Sequence, residues 1–131
     1  LHAALVHEWP LLAERTQFVK TNLSAVPLSP GDLVVSCHAC GALTDQVLAA
    51  AVAARAAVAV MPCCHDAATS PTGGLTGWMD EALAIDVVRA LGLSQAGYDV
   101  TTVQIPAEIT PKHRVLVGVP SELLAANHAH V

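Results

Sequence analysis

The feature that most constrains the fold is a pair of short apolar segments, each running directly into a cluster of cysteine and histidine. The first segment, Leu33–Ser36, leads into Cys37–Cys40, and the second, Ala57–Met61, leads into Cys63–His65. Both segments are continuously apolar rather than alternating, which predicts strands of a parallel sheet that are buried on both faces. Neighbouring parallel strands end at the same edge of a sheet, where open α/β sheets bind ligands. We therefore expect both clusters to form one site.

Helical patterns surround these two segments. A helix is predicted from Leu43 to Arg55, with Thr44 as its N-cap and Asp45 in the first turn, where a carboxylate favours the helix dipole. A second helix is predicted over Trp78–Leu91. Its expected core stripe repeats every fourth residue, at Met79, Leu83, Val87 and Leu91. The loop between the second cluster and this helix is longer than compact domains usually allow without a functional reason.

The remaining segments complete an α/β pattern. At the N-terminal side we predict a helix broken near Pro10 and a short strand over Gln17–Leu23. Towards the C-terminus, strands are expected at Tyr98–Ile105 and Arg114–Val119. No helix joins these two strands, so they form an antiparallel hairpin, with a bulge where the alternation shifts at Thr102–Val103.

A weak helix beginning at Ser121 is expected to fray into a tail that contains His128 and His130. The whole chain, residues 1–131, is predicted to be one α/β domain with a mostly parallel sheet and an antiparallel C-terminal hairpin.

Composition narrows the classes of function. The chain of 131 residues has 53% hydrophobic residues, enough for a core, and a net charge of −5, without the general basic footprint of most nucleic-acid binders. Its longest apolar run, Val47–Met61, is interrupted by Arg55 and is shorter than the ~20 residues that span a bilayer. The four cysteines occur without a secretory signal pattern, so we expect a cytoplasmic setting with no membrane partner.

Three motifs carry a resemblance to a known family. The segments DLVVSCHACGALTDQVL, AVAVMPCCHD and IPAEITPKHRVLVGVP begin at Asp32, Ala57 and Ile105. They resemble the HACG-x-x-TD, PCC and ITPKNR stretches of a branch of class I S-adenosylmethionine-dependent methyltransferases, which includes tRNA acceptor-stem ribose methyltransferases. The resemblance covers Gln17–Pro120, with His113 standing where the family pattern has asparagine.

This resemblance implies a Rossmann-like fold, S-adenosylmethionine as cofactor and RNA, tRNA in particular, as methyl acceptor. The family's glycine-rich loop after its first strand has no counterpart here, since the chain contains no G-x-G. We therefore expect the C-terminal part of a methyltransferase domain, with the N-terminal strands missing. The sheet edge left exposed predicts pairing with a second copy of the chain.

The resemblance also implies the site residues. The residues expected to border the cofactor are Cys37, His38, Ala39 and Gly41. The residues expected to bind the acceptor are Pro62, Cys63, Cys64, His65 and Lys112. His38 is the best candidate for a catalytic base, because a neutral imidazole accepts a proton from a hydroxyl or a ring nitrogen. Asp45 is the second catalytic candidate, and its alternative role is that of a helix-start residue.

Metal binding is an alternative interpretation of the same clusters. The set Cys37, Cys40, Cys63 and His65 offers soft ligands for a tetrahedral zinc ion. With zinc as the cofactor, the chain is a non-catalytic zinc-binding or interaction module on a degenerate methyltransferase fold. A third interpretation makes the cysteines small buried hydrophobic residues with no chemistry of their own.

Overall fold

The computed structural model describes residues 1–128, so the predicted tail residue His130 lies outside the described part of the chain. The chain opens with helix α1, His2–Glu8, followed by a 3-10 turn at Pro10–Leu12, which confirms the predicted break at Pro10. The predicted strand over Gln17–Leu23 is wrong. This segment has no strand partner. Phe18 and Val19 are 71% and 59% exposed, and only Leu23 at its end packs against the core.

A four-stranded mixed sheet forms the centre of the domain. Its strands are β1, Leu33–Cys37; β2, Ala57–Met61; β3, Tyr98–Gln104; and β4, Arg114–Pro120. The spatial order is β1-β2-β4-β3, with β1 parallel to β2 and β4 antiparallel to both of its neighbours. Strand β3 therefore runs in the same direction as β1 and β2. This arrangement confirms the parallel start and the antiparallel hairpin, and it brings the carboxyl ends of three strands to one edge.

Three further helices complete the α/β domain. Helix α2 spans Ala42–Ala54, α3 spans Glu81–Gln95 and α4 spans Ser121–His128. Helix α2 packs on β1 and β2, α3 packs on β3 and β4, and the two helices contact each other. None of the helices in the described part of the chain is both long and apolar enough to cross a bilayer.

The caps of α2 and α3 differ from the sequence prediction. Gly41 precedes α2 and makes no side-chain cap, while Thr44 lies inside the helix and donates its hydroxyl hydrogen bond to the carbonyl of Ala39. Helix α3 begins after Asp80, whose carboxylate accepts from the Leu83 amide at 2.9 Å. Trp78 therefore lies before the helix, and it is 87% exposed.

The buried face of α3 is not the predicted stripe. The helix buries Ala84, Ile85, Arg89 and Leu93. Met79 lies outside the helix and Leu91 is 57% exposed. The predicted stripe is displaced by two positions from the observed contact face. That face contains Arg89, which a search for apolar residues does not select.

Two features of the sheet also correct the prediction. Strand β1 is not buried on both faces, since Leu33 and Val35 are 62% and 64% exposed. This strand is the edge of the sheet and α2 covers only one of its faces. The bulge predicted at Thr102–Val103 is absent, because β3 and β4 pair in continuous register from Tyr98 opposite Pro120 to Gln104 opposite Arg114.

Gly118 lies in β4 where the sheet meets α3. A Cβ atom at this position would lie 2.9 Å from Leu93 and 3.1 Å from Tyr98. We expect Gly118→Ala to lower the free energy of unfolding by about 1–3 kcal/mol, because the surrounding core must shift. Urea denaturation measures the change. Gly31→Ala is the matched control, since a Cβ atom there has open space, and an equal loss in both variants would contradict this packing.

Candidate functional site

The two cysteine-containing loops leave the sheet side by side. Cys37 and Met61 are paired at the ends of β1 and β2. Beyond the strands, the His38 amide donates to the Met61 carbonyl at 3.4 Å, and the Gly41 amide donates to the Cys64 carbonyl at 2.9 Å. The predicted meeting of the two clusters at one edge is confirmed, and backbone hydrogen bonds fix one loop against the other.

The first of these loops turns through left-handed backbone. His38 has a φ of 63° and Gly41 has a φ of 54°. Such a φ is uncommon for a residue with a side chain, and strained positions of this kind cluster at functional sites. Shortly after His38, the side chain of Cys40 contacts Cys63 of the second loop.

Three of the four cysteines form a compact group of thiols. The Sγ atoms of Cys40 and Cys63 are 3.3 Å apart, and those of Cys63 and Cys64 are 3.6 Å apart. All three Sγ atoms lie within 4.8 Å of one another. Cys63 is buried, whereas Cys40 and Cys64 are exposed. We call Cys40, Cys63 and Cys64 the three-cysteine cluster.

Hydrogen bonding within the three-cysteine cluster makes its thiols unequal. Hydrogen bonds with Cys63 and Cys64 raise the pKa of Cys40 to about 12. Hydrogen bonds from Cys40 and Cys63 lower the pKa of Cys64, and the positive charge of Lys112 lowers it further. The Cys64 thiol therefore ionises more easily than the Cys40 thiol.

The cluster differs from the metal-ligand set expected from the sequence. Cys40 and Cys63 belong to both sets. Cys64 completes the observed cluster, and Cys37 and His65 are not part of it. His65 has a different partner: its Nε2 atom lies 2.8 Å from a carboxylate oxygen of Asp86, and its side chain is only 8% exposed.

The four residues expected to border the cofactor fall into two groups. Cys37 and His38 are exposed at the end of β1. Ala39 is buried and its carbonyl accepts the Thr44 hydroxyl hydrogen bond. Gly41 uses its amide for Cys64 and its carbonyl for Arg89. Only Cys37 and His38 are therefore free to face a bound molecule, while the other two hold the loop.

A buried arginine connects α2 with α3. The Arg89 side chain is 3% exposed, and its Nε donates to Asp45 at 2.7 Å. Its Nη2 atom donates to the second oxygen of Asp45 at 3.0 Å, to Ser70 at 3.3 Å and to Gly41 at 3.2 Å. This guanidinium thus binds the start of α2, the long loop and the first cysteine-containing loop at once.

Asp45, the second catalytic candidate, is fully engaged in this contact. Ser70 also donates to it, at 2.6 Å. Partial burial alone raises the pKa of Asp45, but the hydrogen bonds from Arg89 and Ser70 outweigh that effect and hold it below its usual value. A carboxylate in this state is suited to anchoring a neighbour rather than to accepting a proton.

Asp86 extends the same network towards the hairpin. Its carboxylate accepts from Arg114 on β4 at 2.8 Å, contacts His65 in the second loop and lies 3.4 Å from Arg89. We call Arg89, Asp45, Ser70, Asp86, His65 and Arg114 the ion-pair network. Through this network, α3 fixes both loops and the start of β4.

Sequence reasoning missed Arg89 and Asp86, although one signal was present. Ile85, Arg89 and Leu93 are four residues apart, so the arginine lies in the middle of a buried helical stripe. A buried charge at such a position requires a partner of opposite charge. The partner is Asp45, which lies 44 positions away in the sequence.

Two cavities open at the same edge of the sheet. The smaller cavity, of about 180 Å³, is lined by basic groups of the hairpin turn and by two residues of the loop that follows β2. Its lining residues are Pro62, His65, Ala82, Pro111, Lys112, His113 and Arg114. We call it the basic pocket. It brings together three of the five residues expected to bind the acceptor, namely Pro62, His65 and Lys112.

The larger cavity is an apolar groove between α3 and the hairpin. It has a volume of about 410 Å³ and shares Pro62 and Arg114 with the basic pocket. Leu83, Val87 and Val103 contribute to its apolar lining. A volume of this size is within the range of pockets that hold small organic groups.

Comparison with known proteins defines the class of the chain. A family model described as a methyltransferase domain matches residues 5–70, just over half of the 131 residues. The chain belongs to this methyltransferase-domain family. The match includes β1, α2, β2 and both cysteine-containing loops. No curated protein and no solved structure gives a significant match.

The ion-pair network should make stability depend on pH. The folded-state pKa of Asp45 is below its unfolded value, so its contribution is present above about pH 4 and is lost as the pH falls through the folded pKa. We expect Asp45→Asn to lose about 1 kcal/mol near neutral pH, because the carboxylate is one-third exposed.

Urea denaturation at about pH 6 and about pH 3 separates this effect from general destabilisation. The Asp45→Asn variant should lose less stability than the unmodified chain between these two values. Asp99→Asn, at an exposed position of β3, is the matched control and should keep the original pH dependence. The same pH dependence in all three proteins would show that Asp45 does not stabilise the fold through its charge.

Proposed function

We propose that this chain forms the acceptor side of a Rossmann-like methyltransferase that uses S-adenosylmethionine and methylates RNA, with tRNA as the expected acceptor. The observation that carries the proposal is the junction of the two loops at one sheet edge, where Gly41 donates to Cys64. This junction lies within the segment that matches the methyltransferase-domain family. It places His38 and the basic pocket on the same side of the domain.

The residues present fit one wall of a cofactor site. Cys37 and His38 are exposed where β1 ends, at the edge where α/β sheets bind ligands. When bound, S-adenosylmethionine supplies an electrophilic methyl group on a sulfonium. Cys37 and His38 would border it, and the loop conformation fixed by Ala39 and Gly41 would set their position. The chain has no G-x-G segment to hold the remainder of the cofactor.

Within this proposal, His38 acts as the proton acceptor for the methylated group. Its side chain is exposed, and its left-handed backbone holds it at the point where β1 ends. A ribose hydroxyl becomes a better nucleophile as its proton is accepted. Alignment of the acceptor with the methyl group makes the larger contribution, since methyl transfer depends chiefly on the positions of the reacting atoms.

Asp45 has a different role in this proposal from direct catalysis. Its two oxygens bind Arg89 and Ser70. Arg89 in turn donates to the carbonyl of Gly41 at 3.2 Å. Asp45 is therefore a positioning residue, which acts on the loop that carries His38 through Arg89.

The basic pocket and the apolar groove together suit a nucleotide acceptor. Lys112 supplies a cationic group for a phosphate and His113 adds a hydrogen-bonding group, while Arg114 and His65 are held in the wall of the pocket by Asp86. The adjoining apolar groove offers a surface for a flat base. This local concentration of basic groups contrasts with the net charge of −5 for the whole chain, and it favours RNA over a neutral small molecule.

The alternative of a non-catalytic zinc-binding module is less well supported. The three-cysteine cluster is consistent with metal binding, but the family match is to a methyltransferase domain. A metal ion at the cluster is also compatible with catalysis at His38, because His38 is not part of the cluster.

The test of the RNA proposal is transfer of a labelled methyl group from S-adenosylmethionine to purified tRNA. Lys112→Ala should weaken tRNA binding and reduce the slope of its salt dependence by about 1, as expected for loss of one phosphate contact. Lys20→Ala, at an exposed position outside both cavities, is the matched control. Label that enters only protein, or a salt slope that is equal in the two variants, would refute the proposed acceptor.

His38 is tested by separating turnover from binding. We expect His38→Ala to reduce kcat by about 10²-fold or more, with little change in cofactor affinity, because a proton acceptor acts mainly in the transition state. His7→Ala is the control, since this histidine is exposed on α1. An unchanged kcat in His38→Ala would remove this residue from the mechanism.

A further inference from the structure

The three-cysteine cluster has no role in the methyl transfer proposed above. Cys37 and His38 border the reacting atoms, and the basic pocket holds the acceptor, so neither function uses the thiols of Cys40 and Cys63. Three of the four cysteines of the chain nevertheless meet at one point. Two of them are exposed, which is unusual for cysteines that serve only as small core residues.

We propose that Cys40, Cys63 and Cys64 bind one zinc ion through three sulfur atoms and leave its fourth position open. The structure brings these atoms together from the ends of two different strands, through the left-handed turn at His38 and the hydrogen bond between Gly41 and Cys64. The site is therefore formed by folding rather than by neighbouring residues alone.

The distances between the sulfur atoms match this assignment. Three thiolates on a tetrahedral zinc ion, each with a Zn–S bond of about 2.3 Å, lie about 3.8 Å apart. The observed separations of 3.3 Å and 3.6 Å, and the upper limit of 4.8 Å for the group, lie on either side of this value. Small rotations of the side chains suffice to reach it.

A disulfide explains the cluster less well. A disulfide joins two sulfur atoms at about 2.05 Å, and the separations observed here are longer. It would also use only two of the three thiols. Zinc uses all three, and thiolates are among the ligands that it prefers.

The exposure of the cluster indicates the open position. Cys63 is buried, whereas Cys40 and Cys64 are exposed to solvent. Among the described residues, no other histidine, cysteine or carboxylate joins the group. Zinc sites with three protein ligands keep the fourth position for water or a substrate atom.

Cobalt titration tests the ligand set directly. The full chain, reduced and freed of metal with a chelator, is titrated with Co²⁺ while the thiolate-to-cobalt absorption is followed. We expect one equivalent to bind and to be displaced by Zn²⁺. Replacing Cys40, Cys63 or Cys64 by serine should each weaken binding by at least about tenfold, because loss of a ligand exceeds the usual effect of an outer contact.

Cys37→Ser is the matched control. Cys37 is the last residue of β1, is exposed and does not belong to the cluster. It should bind one equivalent with the original affinity. No cobalt absorption in the unmodified chain would overturn the proposal. So would an equal loss of affinity in Cys37→Ser and in the variants of the cluster.

X-ray absorption spectroscopy of the zinc-loaded chain avoids any dependence on the folding of variants. We expect three sulfur ligands and one lighter ligand. A count of four sulfurs, or of two or fewer, would overturn the three-cysteine site. Neither experiment measures methyl transfer, so failure of the metal site is distinguishable from failure of the proposed enzymatic function.

Discussion

The buried guanidinium of Arg89 is the constraint on which the arrangement of the site depends. A cation in the protein interior is tolerated only when it is paired and hydrogen-bonded. Arg89 meets this requirement with Asp45, Ser70 and the Gly41 carbonyl. Because these three partners lie on different segments, satisfying one charge fixes α2, the long loop and the first cysteine-containing loop relative to α3. Asp86, which also contacts Arg89, connects this group to Arg114 and His65.

The topology explains why the functional groups lie on one side of the domain. Strands β1, β2 and β3 run in the same direction, so their carboxyl ends share an edge. The exposed His38 follows β1, the three-cysteine cluster joins the loops after β1 and β2, and the apolar groove lies against the end of β3. The proposed sites for the methyl donor, the acceptor and the metal ion therefore share one edge of the sheet. The ion-pair network lies beneath this surface and gives it a fixed shape.

The sequence predicted the parts of the fold that depend on local pattern. Strand β2 is predicted at its observed bounds, and the hairpin follows from two strands with no helix between them. The burial of β1 was predicted wrongly, because an apolar segment does not reveal whether a neighbour covers it, and Val35 is 64% exposed at the sheet edge. The contact face of α3 was misplaced because Arg89 looks like a surface residue until its partner is known.

The sequence likewise predicted some features of the candidate site but not those that depend on tertiary contacts. The meeting of the two clusters follows from parallel strands, and it is confirmed. Which thiols come together was not predictable, since it depends on the left-handed backbone of His38 and on the orientation of His65 towards Asp86. The pairing of Asp45 with Arg89 was also not predictable, because Arg89 lies 44 residues further along the chain.

We infer that the loop after β1 receives the methyl donor. The most direct measurement is amide NMR of the chain during titration with S-adenosylhomocysteine, the product of methyl transfer from S-adenosylmethionine. We expect chemical-shift changes concentrated at residues 37–41, with smaller changes at residues 63–65 across the junction. An absence of changes at saturating ligand, or changes confined to positions away from this sheet edge, would contradict it.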